Sequence, residues 1–588
     1  MNYQIHRPCH INVLPVEILS YIFTLATHHT ASTDIDHKGR YEVPFSPESV
    51  TMPTVLASVH RHWRHIALST STLWSSLSMS LEQVVRCKVG SDADAYTTFL
   101  DVQRLAAHIA RSRNSPVDIL IDTRDPEWDF EEEEECSPHN ATFFQYATFI
   151  PQILDLLFPQ MYRWRSLTIL SDTWAPLRVA LERLSVPTLI KGLGAPHLET
   201  LILMRCNEFL GHSDVFSPRT QHVFDGIPFA ALTGAPHHDL SVQSHPLPKL
   251  RNLTLVGVHL NWTHLSRYTL GVALNEPLSY VSSCIQSLEL SQHCREVRPT
   301  VDEFTGILKA CPLLRKLVIR VSGPKFDAGV QRSDRPVSLP LLEDIHLGYT
   351  NVEDAAMLLS HIHAPNLISI SIEDANHIAS PDIEDSGPLL TYLATGFLDL
   401  CDISTEAGLN HGVCTSYLAT SNDSVKTPFP HLERLSLNGV AACLTPFSLL
   451  MAVIPKLRHL SLSRTPSALL ALLPIQTPFA DVSTRTIPCR ALESIEIFCI
   501  EEPTKNLLEF VQREREQSGA PRVCNIDIHL EVSSADTGEE NEGYQIIEDD
   551  MVENQTGYGE WVPDEQDPFA PGGAFNDPDF DEAYHYLS

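Results

Sequence analysis

The chain has 588 residues, an apolar content of 43% and a formal net charge of −33. A polyanion of this size repels nucleic acid and anionic membranes unless it has a separate basic surface, and the longest basic run is the stretch RHWRH at 61–65. No apolar run approaches the roughly 18 residues of a membrane span, and the N-terminus lacks the pattern of a secretory signal. We therefore expect a protein of the cytoplasm or nucleus that binds neither nucleic acid nor membrane.

Motifs for metal, cofactor or catalytic chemistry are missing. The 13 cysteines are scattered without a CxxC pair, which argues against a zinc ribbon and a disulfide framework. His62 and His65 stand one helical turn apart, but no carboxylate or cysteine is near them and arginines would repel a cation. The motifs GxGxxG, GxxxxGK[ST] and HExxH are absent. We predict no metal site, no cofactor and no catalytic residues, so the protein is not an enzyme on this interpretation.

The N-terminal module, residues 11–80, begins with a predicted helix after ten residues that we expect to be disordered. Pro15 suits the first turn of a helix, where its missing N–H costs nothing. Ile18, Ile22 and Leu25 then recur at i, i+4 and i+7, with Leu19 and Phe23 beside them. The pattern predicts a short helix with one broad apolar face.

A second helix is predicted from the stretch LASVHRHWRHIALS at 56–69, which repeats the helical spacing of apolar residues. Histidines and arginines occupy its other positions and would form the wet side. A module of roughly 60 residues is too small to bury all of its large apolar groups, so its exposed residues predict a partner. The alternative is a helical hairpin that packs on the rest of the same chain. The apolar residues that follow the helical spacing are Leu56, Val59, Trp63 and Ile66, and a polar turn then leads to Leu73 and Trp74.

These residues resemble a known family. The first helix reads Leu-Pro-x-Glu-Ile-Leu-x-x-Ile-Phe from Leu14, the second contains Val-x-x-x-Trp, and Leu-Trp follows. In this order they are similar to an F-box, in the F-box-like variety of fungal proteins. Two departures are a longer link between the helices and Val-His-Arg-His-Trp in place of a Cys-Arg-x-Trp pattern. The resemblance implies docking on a Skp-family adaptor, and through it on a cullin, by Leu14, Pro15, Ile18, Leu19, Ile22, Phe23, Val59, Trp63, Ile66, Leu73 and Trp74.

A degenerate repeat fills residues 81–532. The phrase Pro-x-Leu-x-x-Leu-x-Leu returns with its proline at 196, 248, 312, 340, 365, 430 and 455. Leu-x-Leu alternation predicts a short strand with one buried face. Segments with helical spacing lie between several phrases, such as VDEFTGILKAC and LTPFSLLMAVI. One strand and one helix cannot bury both faces alone, whereas stacked neighbours can.

Steps of 25 and 28 residues between prolines resemble leucine-rich repeats. The resemblance implies an α/β fold in which the N-terminal module is followed by a solenoid of parallel strands and helices. DVQRLAAHIARSRNSPVDILID, at 101–122, would be the first helix–strand unit, and LLEFVQREREQ with VCNIDIHLEV would close the far end. An ordinary α/β core with leucine-rich strands is the alternative. Side chains between the leucines would point away from the core and could bind a substrate protein, with Arg434, Asn438, His459 and Ser461 as candidates.

The last segment, 533–588, contains sixteen acidic residues and no Lys or Arg. It is punctuated by Gly and Pro and is poor in aliphatic residues, so it cannot bury enough apolar surface to offset its ordering entropy. We predict a disordered acidic tail.

Together these features predict an adaptor rather than an enzyme. The N-terminal module would bind a Skp-family protein, and the repeats would hold a protein substrate for a cullin-RING ubiquitin ligase. Two alternatives remain open. One is a recognition scaffold with leucine-rich repeats but no ligase, which predicts that Trp63, Leu73 and Trp74 are buried against the same chain. The other is a hydrolase-like enzyme with a pocket near Ser213 or within 374–428.

Overall fold

The computed structural model describes seventeen stretches of the chain. The predicted disordered segments, 1–10 and 533–588, lie outside the described residues, so those two predictions remain predictions. The described stretches are 11, 14–28, 45, 47–81, 84–88, 96–124, 143–186, 194–206, 223–233, 247–271, 283–326, 336–378, 385–397, 427–465, 467–476, 485–498 and 502–529.

Helices stand between most of the strands along the described part of the chain. Short 3-10 turns accompany them at Pro47–Thr51, Ser71–Trp74, Phe158–Arg163, Arg295–Val297 and Ala375–Ile378, with a π turn at Leu265–Thr269. The helices are α1 (Val16–Thr27), α2 (Met52–Val59), α3 (Arg61–Ser69), α4 (Gln103–Ser112), α5 (Phe143–Leu157), α6 (Trp174–Ser185), α7 (Ala230–Thr233), α8 (Trp262–His264), α9 (Val301–Ala310), α10 (Val352–Ser360), α11 (Gly387–Thr395), α12 (Leu444–Val453), α13 (Ser467–Leu470) and α14 (Glu502–Gln517).

A single 13-stranded sheet runs through the fold, and every strand pairs in parallel with the next strand of the sheet along the chain. Three short two-stranded ladders lie outside it, at 84–88 with 96–100, at 337–338 with 362–363 and at 475–476 with 485–486. The strands of the large sheet are β1 (Ser76–Ser80), β2 (Val117–Asp122), β3 (Trp164–Ser171), β4 (Thr200–Arg205), β5 (Asn252–Val256), β6 (Ser287–Ser291), β7 (Lys316–Arg320), β8 (Asp344–Tyr349), β9 (Ser369–Asp374), β10 (Arg434–Asn438), β11 (His459–Ser463), β12 (Ser494–Phe498) and β13 (Asn525–His529).

The repeated phrase explains why this sheet forms. In FPHLERLSL the first leucine, Leu432, is buried in a turn that follows Pro430, and the strand begins two residues later. Leu435 and Leu437 then point to the same side of the sheet and are 2% and 0% exposed. The register places them beside Leu460 and Leu462 of the next strand. Each phrase therefore adds two side chains to a continuous aliphatic ladder.

Helices cover the side of the sheet that carries this ladder. A single buried cluster extends from Leu77 in β1 to Val523 just before β13, and it includes residues of α9, α10 and α12 such as Phe304, Leu359 and Phe447. The α/β arrangement of parallel strands and helices is therefore confirmed. The helices predicted from VDEFTGILKAC and LTPFSLLMAVI are present, and so are the closing helix and strand. The helix and strand predicted at 101–122 are also present, but β1 precedes them in the sheet, so they are its second unit and not its first.

The predicted second helix is divided in the structure, so that expectation is corrected. His60 has an extended backbone (φ −153°, ψ 156°) between α2 and α3, and its Nδ1 accepts a hydrogen bond from the backbone N–H of His62 at 3.2 Å. This contact caps α3, because an N-terminal N–H group of a helix has no partner within the helix. Val59 consequently ends α2 with 59% exposure instead of sharing a face with Trp63.

None of the helices among the described residues combines the length and the apolar character needed to cross a lipid bilayer.

One glycine is packed closely against a side chain and another has open space beside it, so alanine substitutions at the two positions test the close packing. Gly257 follows β5 with φ +61°, and a Cβ there would lie 2.6 Å from Nε of the buried Arg205. Gly306 lies within α9, and a Cβ there would meet nothing within 4 Å. We expect Gly257→Ala to lower the free energy of unfolding by about 2–3 kcal/mol, because left-handed backbone and overpacking both oppose it.

Gly306→Ala is the control and should raise the free energy of unfolding by about 0.5–1 kcal/mol, because alanine is the better helix former. Urea denaturation of both variants measures the two values. Equal effects of the two substitutions would contradict the close contact between Gly257 and Arg205.

Candidate protein-binding surfaces

Helix α1 has two apolar faces, and only one of them is buried. Leu19, Phe23 and Thr27 face the inside of the N-terminal module and are no more than 1% exposed. On the opposite side of the helix, Ile18 and Leu25 are 47% and 53% exposed. A helix that is apolar all round is normally buried all round. The second side of α1, the outer face (Ile18, Tyr21 and Leu25), therefore has the composition of a contact surface.

A smaller apolar surface on α2 accompanies the outer face of α1. Val55 and Val59 are separated by one helical turn and are half exposed, and α1 contacts both α2 and α3. Around them, α3 places Arg61, Arg64 and His65 in solvent, as the sequence predicted for its wet side. The three-helix cluster (α1, α2, α3 and the turn Ser71–Trp74) thus carries apolar side chains and cationic side chains on its exterior.

Five of the residues predicted to bind an adaptor are core residues of the three-helix cluster, and their assignment as contact residues is corrected. Their side chains pack on one another and expose between 0% and 1% of their surface, so they have no area to offer a second polypeptide. They are large and apolar, so they form the hydrophobic core of the cluster. The five are Leu19, Phe23, Ile66, Leu73 and Trp74.

The other predicted adaptor residues retain accessible surface. Pro15, Ile18 and Val59 are exposed, whereas Leu14, Ile22 and Trp63 are partly buried. The Trp63 ring lies 5.0 Å from that of Phe23, centroid to centroid, so it covers the core and still reaches the surface. The prediction that Trp63 contacts a partner therefore remains open.

The three-helix cluster joins the sheet without a linker. Trp74 is fully buried directly before β1, and its Nε1–H donates to the carbonyl of Ala67 at 2.8 Å. The His108 ring of α4 meets it edge-on with centroids 4.9 Å apart, and the guanidinium of Arg111 lies 4.4 Å from the Trp74 ring centroid. The indole thus connects the cluster to the helix–strand unit at 101–122.

The outward face of the sheet, which is the face away from the helices, carries the predicted substrate residues. Arg434 stands beside His459 in the register of β10 and β11, and both side chains are exposed. Asn438 and Ser461 are half-buried on the same face. The Nδ1 atom of His459 lies 2.7 Å from Oγ of Ser494 on β12. The predicted outward orientation is confirmed, and binding of a substrate to these residues remains a prediction.

An ion pair crosses one strand in the middle of this face. Arg320 of β7 donates from Nε and Nη2 to the two carboxylate oxygens of Glu373 of β9, at 2.7 and 3.0 Å. Gly348 of β8 lies between them, and a Cβ there would be 2.6 Å from Cγ of Arg320. Each of the two side chains is 21% exposed. A bidentate pair of this kind fixes both side chains, so the outward face has a rigid polar centre.

A serine–histidine pair in the core resembles a catalytic dyad only in its distances. Oγ of Ser322 lies 2.8 Å from Nδ1 of His293, and Nε2 of His293 donates to the carbonyl of Val258 at 3.0 Å. Burial lowers the pKa of His293 to about 3, with nearby Arg205 contributing. His293 is 0% exposed and Ser322 is 1% exposed, so a substrate has almost no surface at which to meet the pair. Ser322 and His293 therefore hold strands together.

The hydrolase alternative falls mostly outside the described residues, including Ser213 and most of 374–428. In the described residues, no group of three or more His, Cys, Asp or Glu side chains could hold a metal ion. A groove beside the serine–histidine pair is lined by Ser322, Arg298, Tyr349 and Asp354, and His293 is not among its lining residues.

Comparisons with known proteins do not identify a family. No family model matches the chain, and no curated protein matches it. Among solved structures, a protein of Bacteroides fragilis is similar with 11% sequence identity, over 74% of this chain and 78% of that chain, and with a TM-score of 0.25. A likeness at that score has no weight for the fold or for the function.

Sequence reasoning missed the outer face of α1 as a distinct surface. It assigned Ile18, Ile22 and Leu25 to the apolar face of the helix, whereas the buried stripe is Leu19, Phe23 and Thr27. Tyr21, which is 63% exposed, was not singled out at all. The available signal was the excess of apolar residues over what one helix face needs.

Two buried histidines make stability depend on pH. Burial lowers the pKa of His108 to about 4 and that of His293 to about 3. Both values lie below the unfolded value, about 6.5, so the unfolded chain binds protons first as the pH falls. We expect each histidine to reduce the free energy of unfolding by about 1 kcal/mol between pH 7 and pH 5.5.

Urea denaturation of the wild type and of His108→Gln at these two pH values measures the contribution of His108. The variant should lose about 1 kcal/mol less than the wild type over this interval. Identical losses would show that His108 is protonated in the folded protein, against its burial beside Trp74.

Proposed function

We propose that the protein is the substrate-recognition adaptor of a cullin-RING ubiquitin ligase. The three-helix cluster acts as an F-box and binds a Skp-family adaptor, which links it to a cullin. The sheet and its helices act as a leucine-rich-repeat solenoid that binds a substrate protein on the outward face. The chain supplies no catalytic group in this function. It raises the effective concentration of a substrate lysine near an enzyme that other subunits carry, in the cytoplasm or nucleus.

The observation that carries the proposal is the uncovered outer face of α1. Burial of a large aliphatic or aromatic side chain contributes about 1.5–3 kcal/mol, so a cluster of half-exposed groups on one helix is a strong potential contact. Central aromatic and aliphatic residues of this kind dominate the energetics of protein interfaces. Ile18 belongs to the F-box resemblance, and Tyr21 and Leu25 extend the same surface by two turns.

The outward face supports the second half of the proposal. Parallel strands in chain order present rows of side chains at regular spacing, and the rows from β10 to β13 together include cationic, neutral and acidic groups such as Arg434, Ser461 and Glu496. Such a mixture suits a protein surface rather than a single small ligand.

A second candidate function is a repeat scaffold without a ligase. The burial of Leu73 and Trp74 against the same chain favours it, because that alternative predicts this burial. In this case the three-helix cluster only closes the first edge of the sheet. The outer face of α1 would then have no required partner.

Binding of a purified Skp-family adaptor distinguishes the two functions. We expect the wild type to bind it, and Tyr21→Ala/Leu25→Ala to bind at least about tenfold more weakly, because each truncation of a central contact costs about 1 kcal/mol or more. The matched control is Tyr162→Ala/Leu156→Ala, which removes the same two side-chain types from exposed positions outside the three-helix cluster.

The control variant should bind as tightly as the wild type. Thermal unfolding of both variants should resemble that of the wild type, because all four side chains are exposed. Absence of binding by the wild type would reject the ligase function and leave the scaffold. Equal weakening by both variants would place the contact elsewhere.

A further inference from the structure

The outward face has different chemistry at its two ends. One row of aligned residues on this face contains Ser291 of β6 and Arg320 of β7, and from β6 onward the row is mostly polar. On β3, β4 and β5 the same row contains Leu170, Met204 and Val256, which stand side by side in the register. All three are no more than 4% exposed. An apolar row on the face away from the helices must therefore be covered.

The cover comes from the link between α1 and α2. Phe45 and Val50 belong to the same buried cluster as Leu120, Met204 and Val256. Phe45 is 6% exposed and Val50 is 2% exposed. Val50 lies on the turn Pro47–Thr51, which runs directly into α2. The long link that departs from the F-box pattern thus carries two side chains onto the sheet.

The three-helix cluster also holds the opposite side of the sheet. Trp74 packs on His108 of α4, which lies on the helical side. The hydroxyl oxygens of Ser71 and Ser115 are 2.8 Å apart. The N-terminal module therefore contacts the first strands of the sheet on both faces, with Phe45 and Val50 of the link on one side and Trp74 of the three-helix cluster on the other.

We propose that Phe45 and Val50 form an internal clamp. The clamp covers the row of Leu170, Met204 and Val256 on the outward face and fixes the three-helix cluster relative to the sheet. A protein partner that contacts this row of the outward face is thereby restricted to β6–β13, where the row is mostly polar. The restriction and its use in ubiquitin transfer rest on the proposed function, whereas the clamp does not.

Hydrogen exchange of the full chain, without any partner, tests the clamp. In Phe45→Ala/Val50→Ala we expect backbone amides of 47–69 to exchange at least about tenfold faster, because local opening no longer exposes a packed aromatic side chain. Amides of β10 and β11 should keep their wild-type rates. The matched control, Phe397→Ala/Val186→Ala, removes the same groups from positions that are 66% and 51% exposed, and it should leave both regions unchanged.

Wild-type exchange rates in 47–69 of the double variant would overturn the clamp. A uniform increase that includes β10 and β11 would also overturn it, because the two side chains would then support the whole core. If the double variant does not fold, Phe45→Leu provides the same test with a smaller loss of contact. It should accelerate exchange only in 47–69, and unchanged rates there would reject the proposal. Because no adaptor is present, these outcomes are independent of the ligase function.

Discussion

The fold depends on the in-register stacking of two aliphatic side chains from each strand on those of its neighbours. Leu435 and Leu437 lie beside Leu460 and Leu462, and the same pairing recurs from β1 to β13. One strand with two leucines cannot exclude water by itself, so each unit is stable only between its neighbours. Each strand has to supply only two aligned aliphatic side chains, and the same contact repeats from strand to strand. This requirement leaves the length of the connections free, which explains how steps of 52 to 65 residues coexist with steps of 25.

A sheet of this kind has two open edges, and the first of them is occupied. Unpaired strand edges invite association with other chains, so natural proteins cover them. Here Trp74 and Leu73 are buried where the three-helix cluster meets β1, and the side chains of β1 are almost entirely buried. Several residues that resemble a partner-binding motif therefore serve the chain's own edge first. What remains for a partner is the side of α1 that the edge does not use.

The strands were predictable because their signal is short-range. The signal has three parts: a turn that contains proline, a leucine three residues before the two leucines of the strand, and apolar residues at every second position of the strand. All three lie within eight or nine residues, and the phrase around Leu432 illustrates each of them. The buried stripe of α1 was not predictable in the same way. Ile18, Leu19, Ile22 and Phe23 are all apolar, so a helical period fits either face, and only the neighbouring helices select Leu19 and Phe23. The same ambiguity affects the predicted contact residues of α1, because the sequence does not show which of them are buried in the cluster.

Phe45 and Val50 carry no periodic signal, and their contacts with Met204 and Val256 are distant in sequence. The break at His60 depended on a side-chain cap that competes with a continuous helix, and helical spacing of Leu56 and Trp63 could not reveal it. Both features depend on tertiary contacts or on competing side-chain hydrogen bonds, so the spacing of residues in the sequence could not predict them.

One buried cluster runs from β1 to β13, and this continuity limits how the protein can work. A close-packed core transmits force but has no second arrangement of its own, so a partner at one end does not alter the other end unless a two-state element lies between them. Neighbouring strands are about 4.8 Å apart, which places β6 about 24 Å from the edge that carries the three-helix cluster. The proposed ligase function therefore depends on the array as a spacer of fixed length, because the strand at which a substrate binds determines its distance from α1.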